Sequence, residues 1–295
     1  MKLLKIIIIG IIAIMGPSLS AQQDPNYTLY RYNMNLINPA YAGANESTDL
    51  GINVRSQWAS VEGAPETQSV LFGTPLGKKV GMGLSIINDK TFIENQTSLS
   101  LDFSYRLKLN ETHDLYLGLK AGFNSYDANT AGLATYGIQQ DPSLMDINGS
   151  FNPNLGIGLY LKNEDYFVSF SLPKLLTPDR LEEEDGLARL GVDRIHMYLA
   201  GGYNIELNSN LKLKPAALLR YAEASPLSVD LTALLEFNKH FNLGAGYRLD
   251  ESFSGILIFK TSNWLEIGYA YEVAIENSVK NIDNSTHEIM LNLKL

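Results

Sequence analysis

The chain has 295 residues, no cysteine, 45% hydrophobic and 19% charged residues, and a formal charge of −9. That balance excludes a disordered segment, a disulfide-stapled or thiolate-metal scaffold, and a basic nucleic-acid-binding protein. It is also less apolar than a helical membrane protein, whereas 24 glycines and 16 tyrosines suit a β-barrel with tyrosines at its two interfaces.

Residues 1–21 carry a basic start (Lys2, Lys5), an apolar run from Ile6 to Met15, and small residues around Ser20 and Ala21. This is the pattern of a cleaved secretory signal peptide, too short to cross a bilayer comfortably as a helix, which takes about 20 residues. Losing both lysines with it would take the formal charge from −9 to −11. Residues 22–47 have no sustained period two. They hold Tyr32, Asn33 and Met34, then Asn38-Pro39-Ala40-Tyr41-Ala42-Gly43, in which Asn-Pro and the following glycine punctuate an ordered turn. Two readings stand: an N-terminal plug or periplasmic extension, and a partner-docking or folding motif.

Residues 48–295 read as a barrel. Leu50, Ile52, Val54 and Trp58 share one face, and Asp49, Asn53, Arg55 and Gln57 the other. The loop Ser60 to Pro65, with Gly63, leads to a run marked by Val70 and Phe72. Pro75 to Lys78 turns it into Val80, Met82, Leu84 and Ile86, and Asn88-Asp89-Lys90 reads as the connection leading to the next hairpin. Asn95 to Asp127 is the clearest hairpin. Leu99, Leu101, Phe103 and Tyr105 alternate with Ser100, Asp102, Ser104, Arg106 and Lys108, and after the polar turn Asn110 to His113 comes Leu115 to Asn124 with Lys120 on its polar face. A long irregular insert follows at 128–150 and a second long insert at 173–193, the latter carrying the acidic run Glu182 to Asp185. The last third alternates most regularly, from Leu211 through the strand ending at Leu295.

The reading is an all-β, transmembrane antiparallel β-barrel of about fourteen strands, apolar faces to lipid and polar faces to the lumen. Alternating connection lengths put the short turns on one side and the long inserts on the other. Short turns are expected in the periplasm, which makes both termini periplasmic and the location the outer membrane. Lumen-facing Asp102, Arg106, Lys108 and Lys120 are mixed in sign, and either tune a pore or pair with one another.

No chemistry-bearing motif emerges. His113, His196, His240 and His287 show no metal-ligand or nucleophile-elbow spacing, no cofactor is implied, and Glu182 to Asp185 lacks the rhythm of a calcium loop. A barrel lipase is therefore disfavoured against a non-catalytic barrel.

Several stretches together resemble the PorP/SprF family of outer-membrane proteins of the type IX secretion system in Bacteroidetes. They are Tyr32-Asn33-Met34 with Asn38 to Gly43, Arg55-x-Gln57-Trp58 with Glu62-Gly63-Ala64-Pro65, and Gly81-x-Gly83. Gly246-Tyr247-Arg248, Gly268 to Tyr271 and His287-Glu288-Ile289 add to them. The resemblance implies secretion or surface attachment of cargo, including adhesins and those of gliding motility. It implies type IX components and a cargo's C-terminal sorting domain as partners, alongside the lipid bilayer. Tyr32, Asn33, Asn38, Pro39, Tyr41 and Gly43 are then the candidate plug or partner-binding residues, and Arg55, Gln57, Trp58, Gly63 and Pro65 the barrel motif. The competing reading is a diffusion porin or hydrophobic-solute transporter, which the same strand count would serve.

Overall fold

Period-two alternation over runs of seven to sixteen residues is the dominant local signal, and the chain answers it with long antiparallel strands. The computed structural model describes residues 25–129, 147–176, 179–184, 187–192, 194–223, 225–261, 263–275 and 284–295. The expected signal peptide and most of the insert at 128–150 lie outside these residues.

The wall begins with β1 (Asp49–Gln57), β2 (Glu66–Leu76), β3 (Val80–Thr91), β4 (Glu94–Lys108), β5 (Asp114–Ala128), β6 (Ile147–Lys162) and β7 (Tyr166–Leu172). A hairpin, β8 (Asp179–Glu184) with β9 (Leu187–Val192), stands apart as a sheet of its own. The wall resumes at β10 (His196–Tyr203), which continues past Asn204 as the short β11 (Ile205–Asn208). It ends with β12 (Leu211–Ala222), β13 (Ser228–Phe237), β14 (Phe241–Arg248), β15 (Ser252–Lys260), β16 (Leu265–Ala274) and β17 (Ser285–Lys294). Neighbours in sequence pair antiparallel, β10 pairs with both β7 and β12, and β1 pairs with β17. The sheet is thus a closed barrel of 14 strands, with no free edge left to pair with another chain. Among the described residues no helix is long and apolar enough to cross a membrane.

The alternation sorts onto the two faces of the wall. In β4, Leu99, Leu101 and Phe103 are exposed on the outside, while Ser100, Asp102 and Ser104 are buried inside. On β5, Leu117, Leu119 and Phe123 face out and Tyr116, Lys120 and Asn124 face in. One end of the barrel carries tight turns. Gly77 takes φ +72°, and Asn238 and Lys239 take +49° and +62°, the paired positive values of a primed hairpin turn.

Three local readings change. Asn88-Asp89-Lys90 is not a connection: it pairs with Thr97, Gln96 and Asn95, and the chain reverses instead at Phe92, φ +53°. Polar residues in a strand whose inner face is polar look like a turn to a pattern reader. Trp58 lies beyond β1 at φ +50°, so it closes the strand rather than extending its lipid face. The insert at 173–193 is not all connection, because Glu182, Glu183 and Glu184 pair with Arg189, Ala188 and Leu187 in the β8–β9 hairpin.

The interior is not the polar lumen that alternation alone suggests. Residues 25–47 lie within the barrel as three single-turn 3-10 helices, Tyr30–Tyr32, Met34–Leu36 and Pro39–Tyr41. On one side, Leu29 packs on Leu234, Ile256, Ile258, Ala270 and Met290 of β13, β15, β16 and β17. On the other, Tyr30, Met34, Ile37 and Ala40 share a cluster with Tyr116, Tyr160, Phe167, Tyr198 and Leu218. The segment therefore touches opposite walls. Burying Leu29 alone contributes about 1.5–3 kcal/mol.

Leu101 sits halfway along β4 on the lipid side, where an arginine costs about 2–4 kcal/mol. Leu101→Arg should sharply reduce the compact, heat-modifiable gel species, whereas Leu101→Phe should leave it intact.

Candidate functional site

The segment's shape follows from one short stretch. Asn38 is extended (φ −138°, ψ 113°), as the residue before a proline prefers, and its side-chain oxygen accepts from the Ala40 amide at 2.9 Å. Pro39 opens the helical turn, where its missing N–H costs nothing. Gly43 then takes φ +67°, and a Cβ there would lie 2.8 Å from the Thr74 carbonyl oxygen. No other residue type meets both demands.

The wall is carved to receive this turn. A Cβ on Gly118 would stand 2.1 Å from the Ala40 nitrogen, and one on Gly158, directly across the ladder, 2.0 Å from Asn38 Oδ1. On β3, a Cβ at Gly81 would stand 2.0 Å from the Ala42 carbonyl oxygen. Around these gaps the wall donates to the segment's carbonyls. Ser171 Oγ donates to Ile37 and Ser104 Oγ to Ala42, each at 2.6 Å, and Lys162 Nζ donates to Ala44. Asn38 Nδ2 returns the favour, donating to the Leu159 carbonyl at 2.9 Å and to Ser169 Oγ at 2.7 Å.

A second anchor is ionic. Glu288 is fully buried on β17 and accepts from the backbone amides of Thr28 (2.7 Å) and Leu29 (3.2 Å) and from Asn53 Nδ2 (2.9 Å). Arg55 pairs with Glu288 at 3.4 Å and Glu272 at 3.3 Å. Arg248 joins Glu272 (2.9 Å) to Asp230 (2.6 Å). These charges, from five strands, tolerate burial because each has an opposite partner and further hydrogen bonds.

The residues singled out from sequence divide into groups. Tyr32, Asn33, Asn38, Pro39, Tyr41 and Gly43 all belong to the segment inside the barrel. Tyr41 packs edge-on to Tyr160 with ring centroids 5.2 Å apart, and its hydroxyl donates to Asn45 at 2.8 Å. Burial pushes its phenol up to about 12. Of the barrel motif, Arg55 alone reaches the segment, through Thr28 Oγ1 at 3.3 Å. Gln57 and Pro65 instead share a backbone bond of 2.9 Å, Trp58 donates to the Ser285 carbonyl at 2.7 Å, and Gly63 (φ +77°) accepts from the Phe92 amide at 2.7 Å. These form the β1–β2 connection at the end opposite the tight turns.

The lumen charges do not form one constellation. Asp102 and Lys120 pair at 2.9 Å on adjacent strands. Arg106 bridges Asp114 (2.6 Å) and Glu46 (3.0 Å) near the tight turns, and Lys108 is exposed at that rim. Among the described residues no group of three or more His, Asp or Glu is placed to hold a metal ion. Sequence reading missed Thr28, Arg31, Ser104, Ser171, Glu272 and the slot glycines Gly118 and Gly158. A charge at a lumen-parity position in a barrel strand, as at Glu272, was the available signal.

The model of a family described as type IX secretion system membrane protein PorP/SprF matches residues 19–293. No curated protein matches the chain. Among solved structures, the outer membrane protein Omp33 of Acinetobacter baumannii is 10% identical, over 84% of this chain and 98% of that one, with a TM-score of 0.48. The monoaromatic hydrocarbon channel CymD is 12% identical over 88% and 90%, at 0.48. A Pseudomonas aeruginosa FadL homologue is 12% identical over 96% and 95%, at 0.46. Likenesses this distant say nothing about what passes through or binds to this barrel.

Gly118→Ala and Gly158→Ala should each drive the Asn38–Ala42 turn out of its slot while the barrel still folds. Amide exchange at Ala40 and Ala42 should rise by about tenfold for each 1.4 kcal/mol lost. Gly255→Ala, whose Cβ would meet nothing within 4 Å, should leave those amides unchanged.

Proposed function

Since the chain belongs to the PorP/SprF family of type IX secretion system membrane proteins and folds as an outer-membrane barrel, we propose that it is a non-catalytic docking barrel that supports delivery or surface attachment of cargo. The single observation that carries this reading is the filled lumen. A segment that packs on Leu234 and Ile258 on one side and on Tyr160 and Leu218 on the other leaves no room for a translocating chain.

In this reading the tight-turn end faces the periplasm, as is usual for outer-membrane barrels, and meets the secretion apparatus there. The opposite end of the wall then faces outwards and holds cargo, such as an adhesin, through its C-terminal sorting domain. Loops carried on a rigid wall suit such a task, because they adapt to a partner without disturbing the fold. The N-terminal block serves as the rigid element that shapes the periplasmic mouth. The competing diffusion porin or solute transporter needs a continuous aqueous path, and the buried Leu29 and Tyr30 on the segment's two flanks oppose one.

Combining Pro39→Ala with Tyr41→Ala should leave the barrel inserted, judged by heat-modifiable mobility, and abolish protease-accessible cargo on whole cells. Full cargo display by the double variant would reduce the block to a passive filler.

A further inference from the structure

Where the segment approaches the tight-turn rim it leaves a basin of about 320 Å³ beside it, within the range of small-ligand sites. Its floor is the Tyr32 to Asn35 stretch, and its walls include Asn292 and Lys294 of β17. Four buried polar atoms belonging to residues that line it have no hydrogen-bond partner among the described residues: Tyr32 Oη, Asn33 Nδ2, Asn35 Oδ1 and Asn292 Oδ1. Asn33 is only 3% exposed. Buried polar atoms are ordinarily satisfied, so these four call for partners that water or a bound molecule in the cavity can supply. The set holds both a donor (Asn33 Nδ2) and acceptors (Asn35 and Asn292 Oδ1), which matches the paired N–H and C=O of a peptide unit.

Charge selects among peptides. The basin is lined by Arg31, Lys162, Lys214, Lys260 and Lys294, against only Asp49 and Glu266. Lys214 and Lys260 are already matched to Glu236 and Glu266. Arg31 is instead held by the Lys214 carbonyl and Asn204 Oδ1, at 3.1 and 2.7 Å, and Lys162 by the Ala44 carbonyl. Neutral partners fix Arg31 in place without cancelling it, whereas Lys162 also feels the Glu46 and Asp114 carboxylates. Lys294 is exposed at the rim. Lys294 lies across the ladder from Asp49, so five cations against two anions line one cavity in a protein of formal charge −9.

We infer that this basin binds an acidic, extended polypeptide segment entering from the tight-turn end. Its carboxylates would meet Arg31, Lys162 and Lys294, and its backbone would meet Asn33, Asn35 and Asn292. The partner's place in secretion rests on the docking reading above; the ligand chemistry stands on the basin alone.

The test is fluorescence anisotropy on the purified full barrel in detergent, with a short labelled peptide of alternating glutamate and glycine. Saturable binding should appear and should weaken about tenfold in Lys294→Glu and in Asn33→Asp, each with unchanged heat-modifiable mobility. Lys239→Glu, on the β13–β14 turn outside the basin, should bind as the parent does. Equal binding of a lysine–glycine peptide would overturn the inference. So would absence of binding, or displacement by free glutamate at matched carboxylate concentration, which would make this a small-anion site. Peptide binding retained in a variant that no longer displays cargo separates the two readings, since only the docking role then depends on a further step.

Discussion

Inside a closed barrel, any backbone group that the sheet does not pair must find a partner on the inner wall. Residues 25–47 bring such groups into the lumen without a strand to satisfy them, and the rest of the interior is arranged around that demand. Glu288 accepts the Thr28 and Leu29 amides, Ser171 and Ser104 donate to the Ile37 and Ala42 carbonyls, and Asn292 Nδ2 donates to the Tyr32 carbonyl at 3.2 Å. Glycines at 81, 118 and 158 remove the Cβ atoms that would keep the backbone away. Arg55, Glu272, Arg248 and Asp230 then neutralise the buried Glu288 and one another. Remove the segment and this wall is a set of buried charges and gaps without a purpose.

The barrel itself was legible because its signal is local. In β4, each lipid-facing apolar residue from Leu99 to Leu107 is two residues from the next, so a reader of the chain sees the face directly. The same property explains the misreadings. Asn88 to Lys90 are polar because the end of β3 away from the tight turns is polar, and nothing local separates that from a turn. The β8–β9 hairpin shows no alternation that marks a sheet apart from the wall.

The site was legible only from the segment's side. Asn38, Pro39 and Gly43 announce a fixed turn through their own backbone chemistry, whereas their receptors are spread over β3, β5, β6 and β7. The inner apolar patch left a subtler trace. Ile256, Leu257, Ile258 and Phe259 form an unbroken apolar run where alternation should place polar residues inside, and Ile256 and Ile258 are the wall on which Leu29 rests. A lapse in alternation within an otherwise regular barrel strand is thus a sign that something apolar fills the lumen.

The account turns on that filled lumen, and planar-bilayer conductance reads it directly. The purified chain should show no steady single-channel conductance, and a chain lacking residues 25–44 should open a stable, ohmic pore. A steady open channel in the intact protein would contradict the account, because the segment would then leave the aqueous path of a porin.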